Sequence, residues 1–288
     1  MDRTTWMQTT TQLESHIHSW ARLQTARGWF TSPPGLVALT QDFDPITLKQ
    51  MDGVALLNRT DTKFVMSTAQ LLTALAALRQ DYWMLSVHSQ RLNHYRTLYF
   101  DAPDFELYHL HVNGRADRYK VRSREYTDSS LSFLEVKHKN SKGRTIKDRL
   151  STAQPVVQMT PEAENWLNGV FPYDSRLLEP KMWNTFTRIT LVSKQLCERV
   201  TLDVDLTVYS PYNAGQIIHL NGIAIGEVKM EAEHCTSPFL AQMRAQKIHP
   251  QGFSKYCIGV SMLYDQVKKN AVKPKLLWLN KMSGGVLL

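Results

Sequence analysis

Four basic residues that alternate with other side chains form the most informative stretch of the sequence: Arg118, Lys120, Arg122 and Arg124. Side chains of a β-strand alternate between its two faces, so an extended conformation places the four cations in one column. Like charges in one column repel each other unless an anion lies among them. The spacing therefore predicts a strand with a polyanion-binding face. The competing interpretation is a strand whose charged face is merely solvated.

Other stretches also separate a charged face from an apolar face. Between positions 196 and 208 the even residues are apolar except Glu198, whereas the odd residues include Arg199, Thr201, Asp203, Asp205 and Thr207. Two more stretches alternate in the same way, with Glu135, Lys137 and Lys139 in one and Glu227, Lys229 and Glu231 in the other. Helices can cover the apolar faces, while the charged faces must meet solvent or one another. We therefore predict an α+β fold with a closed antiparallel barrel, a cation-lined interior and helices packed outside.

The acidic residues have two possible roles, ion pairing and metal binding. We favour an ion-pair role with neighbouring lysines for Glu135 but not for Glu227. Asp203 and Asp205 remain open between metal binding and pairing with Arg188 or Arg199, and Glu231 is a further metal candidate. Carboxylate oxygens are suitable ligands for hard divalent cations at any of these candidate positions.

The histidines and cysteines give weaker signals. His109 and His111 have the spacing of two ligands on one strand face, although a zinc pair is the less favoured interpretation. Cys197, Cys235 and Cys257 are odd in number and far apart, with no CxxC pair. This usage disfavours a disulfide framework or structural zinc site and indicates a reducing, cytoplasmic compartment. Nothing near Cys197 marks it as a nucleophile.

The charge of the 288-residue chain is concentrated in one region. The formal net charge is +8, and residues 118–149 hold ten Lys or Arg against four acidic residues. This distribution predicts an acidic partner. The longest apolar runs are far shorter than a membrane span of roughly 20 residues, and the N-terminus has no signal-peptide pattern. We therefore expect any membrane association to depend on a separate membrane protein.

Local signals predict the elements that must position these residues. The predicted helices lie at 12–26, from Asp44-Pro45 onward, and at 68–79, 161–166, 238–247 and 254–264. The predicted strands lie at 59–66, 95–101, 118–126, 133–139, 184–192, 196–209 and 217–231, the last folded into a hairpin at Asn221-Gly222. We predict a leader at 1–43, one domain at 44–267 and a basic tail at 268–288.

Seven motifs, in order along the chain, resemble the vacuolar transporter chaperone (VTC) domain in a bacterial stand-alone form. They are Asn58-Arg-Thr-Asp-Thr-Lys-Phe64, Leu98-Tyr-Phe-Asp101, Arg118-Tyr-Lys-Val-Arg-Ser-Arg-Glu-Tyr126, Leu134-Glu-Val-Lys137, Glu198-Arg-Val-Thr-Leu-Asp203, Gly226-Glu-Val-Lys229 and Phe253-Ser-Lys-Tyr256. The resemblance implies the triphosphate tunnel metalloenzyme (CYTH-like) fold, in which an eight-stranded barrel binds polyphosphate. It also implies synthesis of inorganic polyphosphate from the γ-phosphate of ATP with Mn²⁺ or Mg²⁺.

The resemblance carries residue roles to matching positions. The expected catalytic cations are Lys63, Arg122, Arg124, Lys137, Arg188, Arg199 and Lys255. Further phosphate-binding residues are expected at Lys120, Lys147, Arg149 and Ser254, and Glu227 matches the metal-binding glutamate. One position departs from the family pattern, because His111 stands where the eukaryotic motif has a tunnel arginine.

Three functions remain open from the sequence. The first is the ATP-dependent polymerase, the second a triphosphatase that hydrolyses short triphosphates, and the third a non-catalytic polyphosphate sensor or subunit. Nucleic acid is not an expected partner, because the basic strands lack the interleaved aromatic residues that stack bases.

Overall fold

The structure, a computed structural model, describes residues 32–52, 60–213, 215–231 and 237–287. The strands in this part are β1 (Asp44–Ile46), β2 (Thr60–Ser67), β3 (Tyr82–Leu85), β4 (Asn93–Asp101), β5 (Arg118–Tyr126), β6 (Leu131–Lys139), β7 (Thr145–Thr152), β8 (Glu179–Ser193), β9 (Glu198–Tyr209), β10 (Ile217–His219) and β11 (Ile223–Met230). The helices are α1 (Leu36–Gln41), α2 (Leu48–Asp52), α3 (Thr68–Leu78), α4 (Glu106–Val112), α5 (Pro161–Val170), α6 (Pro238–Ala245), α7 (Lys255–Leu263) and α8 (Lys273–Met282). The helix predicted at 12–26 lies outside the described residues.

One large, mainly antiparallel sheet confirms the predicted α+β class. Its main path runs β2–β11–β9–β8–β4–β5–β6–β7, with β1, β3 and β10 attached beside it. The predicted closure into an eight-stranded barrel is wrong, because the sheet has eleven strands and β2 and β7 do not pair within the described residues. The edge strands carry cations on the same face, Lys63 on β2 and Lys147 and Arg149 on β7. Like charges on facing strands disfavour pairing.

Helices α3 and α6 cover the outer face of the sheet, which we define as the face opposite Arg122. Ser67 and Gln70 form a capping box at the start of α3, which fixes its first turn as predicted from Ser67. Its buried Leu75 and the buried Phe239 of α6 pack on strand residues such as Leu202. Burial of this apolar face supplies the hydrophobic stabilisation of this layer.

Helix α7 packs instead on the inner face, which carries Arg122, so the prediction that helices lie only outside is wrong. The Tyr256 ring stacks on Tyr99 at a centroid distance of 5.1 Å, and Tyr99 pairs directly with Arg122 across β4 and β5. Residues 256–261 and Leu263 of α7 are all buried. A helix that is apolar on nearly every side must be covered on every side. Packing against the outer surface of a sheet would cover only one side and leave the rest of α7 exposed to solvent.

A bulge in β9 exchanges the two faces of that strand. Asp205 has a left-handed backbone, with φ of 53°, and the pairing between β8 and β9 shifts register between Thr185 and Thr187. Val204 therefore packs in the outer cluster, whereas Leu206 packs in the inner one. The predicted alternation is present, but the prediction that all even positions share one face is wrong beyond the bulge.

Two local predictions fail because long-range pairing overrides them. Asp44 and Pro45 do not open a helix; they form β1, which pairs in parallel with β3. Thr47 and Gln50 instead exchange hydrogen bonds at the start of α2. Asn221-Gly222 is not a hairpin turn, because β10 and β11 both run antiparallel to β9. These two residues separate β10 from β11, which lie one after the other along the same side of β9.

The C-terminal segment predicted as a basic tail contains α8. Its Leu276 and Leu279 are buried in the same apolar cluster as residues of α7. Among the described residues, no helix is both long enough and apolar enough to cross a membrane.

Candidate phosphate-binding site

The strand register brings the predicted site residues of the sheet onto its inner face. Residues directly opposite each other on paired antiparallel strands share a face. Followed from strand to strand, the pairing places ten predicted site residues on the same face: Lys63, Lys120, Arg122, Arg124, Lys137, Lys147, Arg149, Arg188, Arg199 and Glu227. The other two, Ser254 and Lys255, stand at the N-terminus of α7. Their roles in binding or catalysis remain predictions.

Helix α7 places its first residues among these strands. Ser254 is its N-cap and accepts a hydrogen bond from the backbone N–H of Cys257, while its Oγ also accepts one from Lys120 Nζ at 3.0 Å. Lys255 forms an ion pair with Asp203 of β9. The helix terminus is therefore tied to both β5 and β9. Its unpaired N–H groups and positive dipole end favour an anion at this point.

Three inner-face carboxylates each bridge two cations. Glu135 contacts Arg122 at 2.7 Å and also Lys147. Asp203 contacts Arg188 through two hydrogen bonds of 2.6 and 2.8 Å and also Lys255. The third carboxylate, Glu227, contacts Lys63 at 2.5 Å and Lys229 at 3.4 Å. The ion-pair role favoured for Glu135 is the one the structure shows.

The cations keep these buried acids ionised. Burial alone would raise the pKa of Glu135, but the charges of Arg122, Arg124 and Lys147 outweigh burial and lower it. The same balance lowers the pKa of Glu227, with Lys229 and Lys63 as the main cations. It lowers the pKa of Asp203 to about 2. Each carboxylate is therefore a permanent anion at neutral pH.

Several lysines of the face bind their protons weakly. Burial and then neighbouring cations lower the pKa of Lys120 to about 8 and that of Lys137 to about 8, partly offset at Lys137 by Glu227. Lys147 also has a pKa of about 8, lowered by burial and Arg122 against the opposing charge of Glu135. Burial is the largest cause of each shift and neighbouring cations add to it, so a bound polyanion would favour the charged form of all three lysines.

Two aromatic rings form a floor beneath three of the cations. Tyr95 and Phe186 are opposite each other on β4 and β8 and stack at 5.1 Å. The Arg188 guanidinium lies 5.0 Å from the Tyr95 centroid, Arg124 lies 5.6 Å from it, and Lys255 Nζ lies 4.3 Å from the Phe186 centroid. Cation–π contacts hold charged groups without neutralising them, so the donors stay available to an anion.

Glu227 fits a divalent metal ion of the hard, oxygen-binding type. The hydroxyl of Thr201, directly opposite it on β9, is buried and has no hydrogen-bond partner in the described structure. Mg²⁺ and similar ions are often held by one or two carboxylates together with substrate phosphates and water. In the described ranges no group of three or more His, Cys, Asp or Glu residues could hold a metal. Glu227 with phosphate oxygens therefore fits better than an all-protein cage.

The remaining metal candidates are placed elsewhere. Asp205 lies on the bulge beside Thr187, on the outer face, where burial raises its pKa to about 6. Glu231 follows the end of β11. His109 and His111 lie on α4, not on a strand, and residues two positions apart on a helix point in different directions. The helix therefore excludes a zinc pair on one strand face, which was already the less favoured interpretation.

The sequence analysis missed several contributors. Lys229 is part of the motif Gly226-Glu-Val-Lys229 but was given no predicted role, although it lies two residues from Glu227 and therefore on the same strand face. Asp61 lies 3.8 Å from Lys229 and shares the spacing of Lys63, so the same signal could have found it. Tyr95 and Phe186 gave no local signal, because their contact depends on pairing between distant strands.

A family model described as the VTC domain matches residues 58–264. No curated protein matches the chain at a significant level. The match includes every one of the twelve predicted site residues and falls inside the domain predicted at 44–267.

The solved structures that match the chain have low sequence identity and TM-scores below 0.5. A proposed adenylate cyclase from Vibrio parahaemolyticus is 12% identical, with a TM-score of 0.37 over 68% of this chain and 94% of that chain. One from Bacillus halodurans is 14% identical, with a TM-score of 0.42 over 68% and 94%. A proposed adenylyl cyclase from Hippeastrum, described as having a dominant triphosphatase activity, is 13% identical, with a TM-score of 0.43 over 70% and 94%. These similarities are too low to transfer an activity to this chain.

Proposed function

The chain belongs to the VTC domain family, and we propose from this membership and its cationic inner face that it is a metal-dependent polyphosphate polymerase using ATP. The observation that carries the proposal is the density of fixed cations on one face, held in place by bridging acids and an aromatic floor. A phosphate chain has roughly one negative charge per phosphate and needs many such donors. Planar Arg forks suit phosphate oxygens, while Lys acts as a point charge.

Binding of the donor triphosphate is assigned to the centre of the inner face. Arg122, Arg124 and Arg188 surround the point at which the N-terminus of α7 meets the sheet. Lys255 and Ser254 reach the same point from the helix. These groups would neutralise the non-bridging oxygens of the transferred phosphoryl group and hold it in line, which is most of what phosphoryl transfer requires from a protein.

The reaction transfers one phosphoryl group without oxidation or reduction. A terminal oxygen of the acceptor chain forms a bond to the γ-phosphorus of ATP as the bond from that phosphorus to the β–γ bridging oxygen breaks. ADP leaves with that oxygen. A divalent ion on Glu227, Mn²⁺ or Mg²⁺, would supply charge neutralisation of the leaving phosphate. Lys63 and Lys229, which hold Glu227 in the described structure, position its carboxylate.

The direct test is synthesis by the purified full chain. Incubated with ATP and Mn²⁺, it should produce long-chain polyphosphate that is resolved on a gel. Arg122→Ala should lower the rate roughly 100-fold, whereas Lys142→Ala, an exposed cation in the loop between β6 and β7, should leave the rate unchanged. Absence of chain growth from a folded protein would exclude the polymerase.

The same assay separates the two remaining functions. Phosphate release from tripolyphosphate without chain growth would assign a triphosphatase, in which water replaces the acceptor chain. Tight polyphosphate binding with no turnover of either substrate would assign a sensor or binding subunit. In the polymerase, Glu227→Gln should retain polyphosphate binding but lose turnover, because the ion acts mainly in the transfer step.

A further inference from the structure

Four cations at one end of the inner face have no carboxylate partner. Arg118 of β5 is directly opposite Lys139 of β6, and Lys120 is directly opposite Lys137. Within the described ranges none of the four lies at ion-pair distance from an acid, in contrast to the carboxylate-bridged cations of the central site. In the described structure Lys120 donates to the Ser254 hydroxyl, and Arg118 donates to the backbone carbonyl of Arg115. This end of the inner face is a cluster of cations without a close ion pair in the described residues, and Glu227 reaches only Lys137, through its longer-range charge.

His111 completes this cluster from α4, which packs against β5 and α7. Its Nδ1 atom is buried without a hydrogen-bond partner in the part of the chain that the structure describes. Burial, followed by the charges of Lys120, Arg118 and Lys137, lowers the pKa of His111 to about 2, with a smaller contribution from Lys139. The imidazole is therefore neutral among four cations.

The other titratable groups near α4 do not compensate this charge. Asp101 of β4 accepts hydrogen bonds from the first turn of α4 and from the Tyr256 hydroxyl of α7, at the opposite end of the helix from His111. Burial raises the pKa of Cys257 on α7, which keeps this thiol neutral. His109, on α4 itself, also has a buried ring nitrogen without a partner. The cluster thus contains no anion of its own.

We infer that His111, Arg118, Lys120, Lys137 and Lys139 form a second anion subsite, which holds the part of a phosphate chain that extends beyond a triphosphate, and that His111 takes up a proton from solvent when the chain occupies it. The inference rests on the proposed function for the class of ligand. Arg118 lies four residues from Arg122, about 13 Å along the strand. This distance exceeds the span of a triphosphate bound at the centre, so only longer chains reach from Arg122 to Arg118 and its neighbour Lys139, while Lys120 lies between the two places.

Proton uptake follows from the sign of the ligand charge. In the free site, four positive charges and burial oppose the imidazolium. A phosphate chain among the same groups reverses the local field and favours the charged ring. The imidazolium then donates from both nitrogens, including the Nδ1 that has no partner in the described structure. An arginine at this position would bind without this dependence on pH.

Calorimetry measures the proton uptake directly. The full chain is titrated with long-chain polyphosphate, and separately with tripolyphosphate, in buffers that differ in ionisation enthalpy. The wild-type protein should take up more protons with the long chain than His111→Gln does, whereas the two proteins should match with tripolyphosphate. Comparing the variants cancels protons taken up by the phosphate chain itself. Equal uptake by both proteins with the long chain would overturn the role of His111.

A charge-matched pair of variants tests the subsite itself. Arg118→Ala/Lys139→Ala should weaken long-chain binding by roughly tenfold or more, because each lost phosphate contact removes an electrostatic contribution, and should leave tripolyphosphate binding within about twofold. Lys142→Ala/Arg144→Ala removes the same charge from the exposed loop after β6 and should change neither. Equal losses for both ligands, or none, would exclude the subsite.

These measurements do not require turnover. A protein that fails to make polyphosphate but shows long-chain discrimination and His111-dependent proton uptake would refute the polymerase and retain the subsite. A protein that synthesises polyphosphate but shows neither long-chain discrimination nor His111-dependent proton uptake would support the polymerase and refute the subsite.

Discussion

Asp203 shows at the scale of single residues how the site is kept charged and ordered. Only 4% of its side chain is exposed, and it holds Arg188 in a two-bond fork while pairing with Lys255. Burying two cations and an aspartate is costly unless each hydrogen bond is made. The acid therefore occupies a position among cations similar to that of a bound phosphate group.

Replacing Asp203 should destabilise the protein in a way that a phosphate ligand repairs. Asp203→Asn leaves two buried cations without their counter-charge and should lower the free energy of unfolding by about 3 kcal/mol. Thermal unfolding with and without tripolyphosphate would show a larger stabilisation by the ligand in the variant than in the wild type.

The matched control is Asp174→Asn, which breaks an ion pair with Arg176 whose partners are 38% and 75% exposed. It should change the free energy of unfolding far less than Asp203→Asn does, because solvent screens an exposed pair, and it should leave the ligand effect unchanged. Equal ligand stabilisation of wild type and Asp203→Asn would contradict the account of the acid as a counter-charge.

The strand positions of these residues could be predicted from alternation alone, whereas their partners could not. Arg122, Lys137 and Glu227 follow from a spacing of two along each strand. The choice of Arg188 over Arg199 as the partner of Asp203 depends on the register between β8 and β9, which no local pattern contains. The spacing of His109 and His111 would place both on one strand face only in an extended segment, and the segment is helical.

At the scale of elements, α7 connects the apolar core to the phosphate-binding residues. Asp101 at the end of β4 accepts hydrogen bonds from the backbone of α4 and from the hydroxyl of Tyr256. Gly259 lies against the sheet, where an added Cβ would lie only 2.1 Å from Met182 Sδ and 3.0 Å from Val208 Cγ1. The close approach fixes the height of the helix above the inner face, and hence the position of Lys255.

A methyl group at this contact should displace α7. Gly259→Ala should lower the free energy of unfolding by about 1–3 kcal/mol through overpacking, and should also weaken tripolyphosphate binding because Lys255 and Ser254 move with the helix. Chemical denaturation and calorimetry would measure the two effects.

Gly169→Ala, at an exposed position of helix α5 with no atom near an added Cβ, is the control. It should be neutral or up to about 1 kcal/mol stabilising. Unchanged phosphate affinity in a destabilised Gly259→Ala protein would show that α7 supports the fold without positioning the site.

The start of α7 was predictable because Ser254 is a strong N-cap, and the structure begins the helix at Lys255. Its location was not predictable from the same residues. A helix buried on every side has no amphipathic pattern to indicate which surface it covers. The prediction of helices only outside the sheet failed for this reason.

At the scale of the whole molecule, the inner face gives stability an unusual dependence on pH. Lys120 and Lys137 have a folded-state pKa of about 8, below the value of about 10.4 expected in an unfolded chain. Between these values the unfolded state binds more protons than the folded state, so the contribution of the two lysines to stability rises with pH.

Raising the pH from 7 to 9 should therefore stabilise the wild type more, or destabilise it less, than Lys120→Gln/Lys137→Gln. The comparison between proteins removes the titration of cysteine and tyrosine groups that both share. Thermal unfolding across this range is the measurement, in buffers without phosphate. Parallel curves for the two proteins would mean that these lysines keep their ordinary proton affinity when folded.

The open edge between β2 and β7 changes how a long polymer reaches the site. A closed ring of paired strands would admit a linear polymer only through one of the polymer's ends. Within the described residues β2 and β7 do not pair, so no closed ring of strand hydrogen bonds surrounds the inner face, and under the proposed function we expect a phosphate chain to enter from the side as well as by its end. Capture would then be indifferent to what blocks the ends of the chain, and release would not require the whole length to slide out.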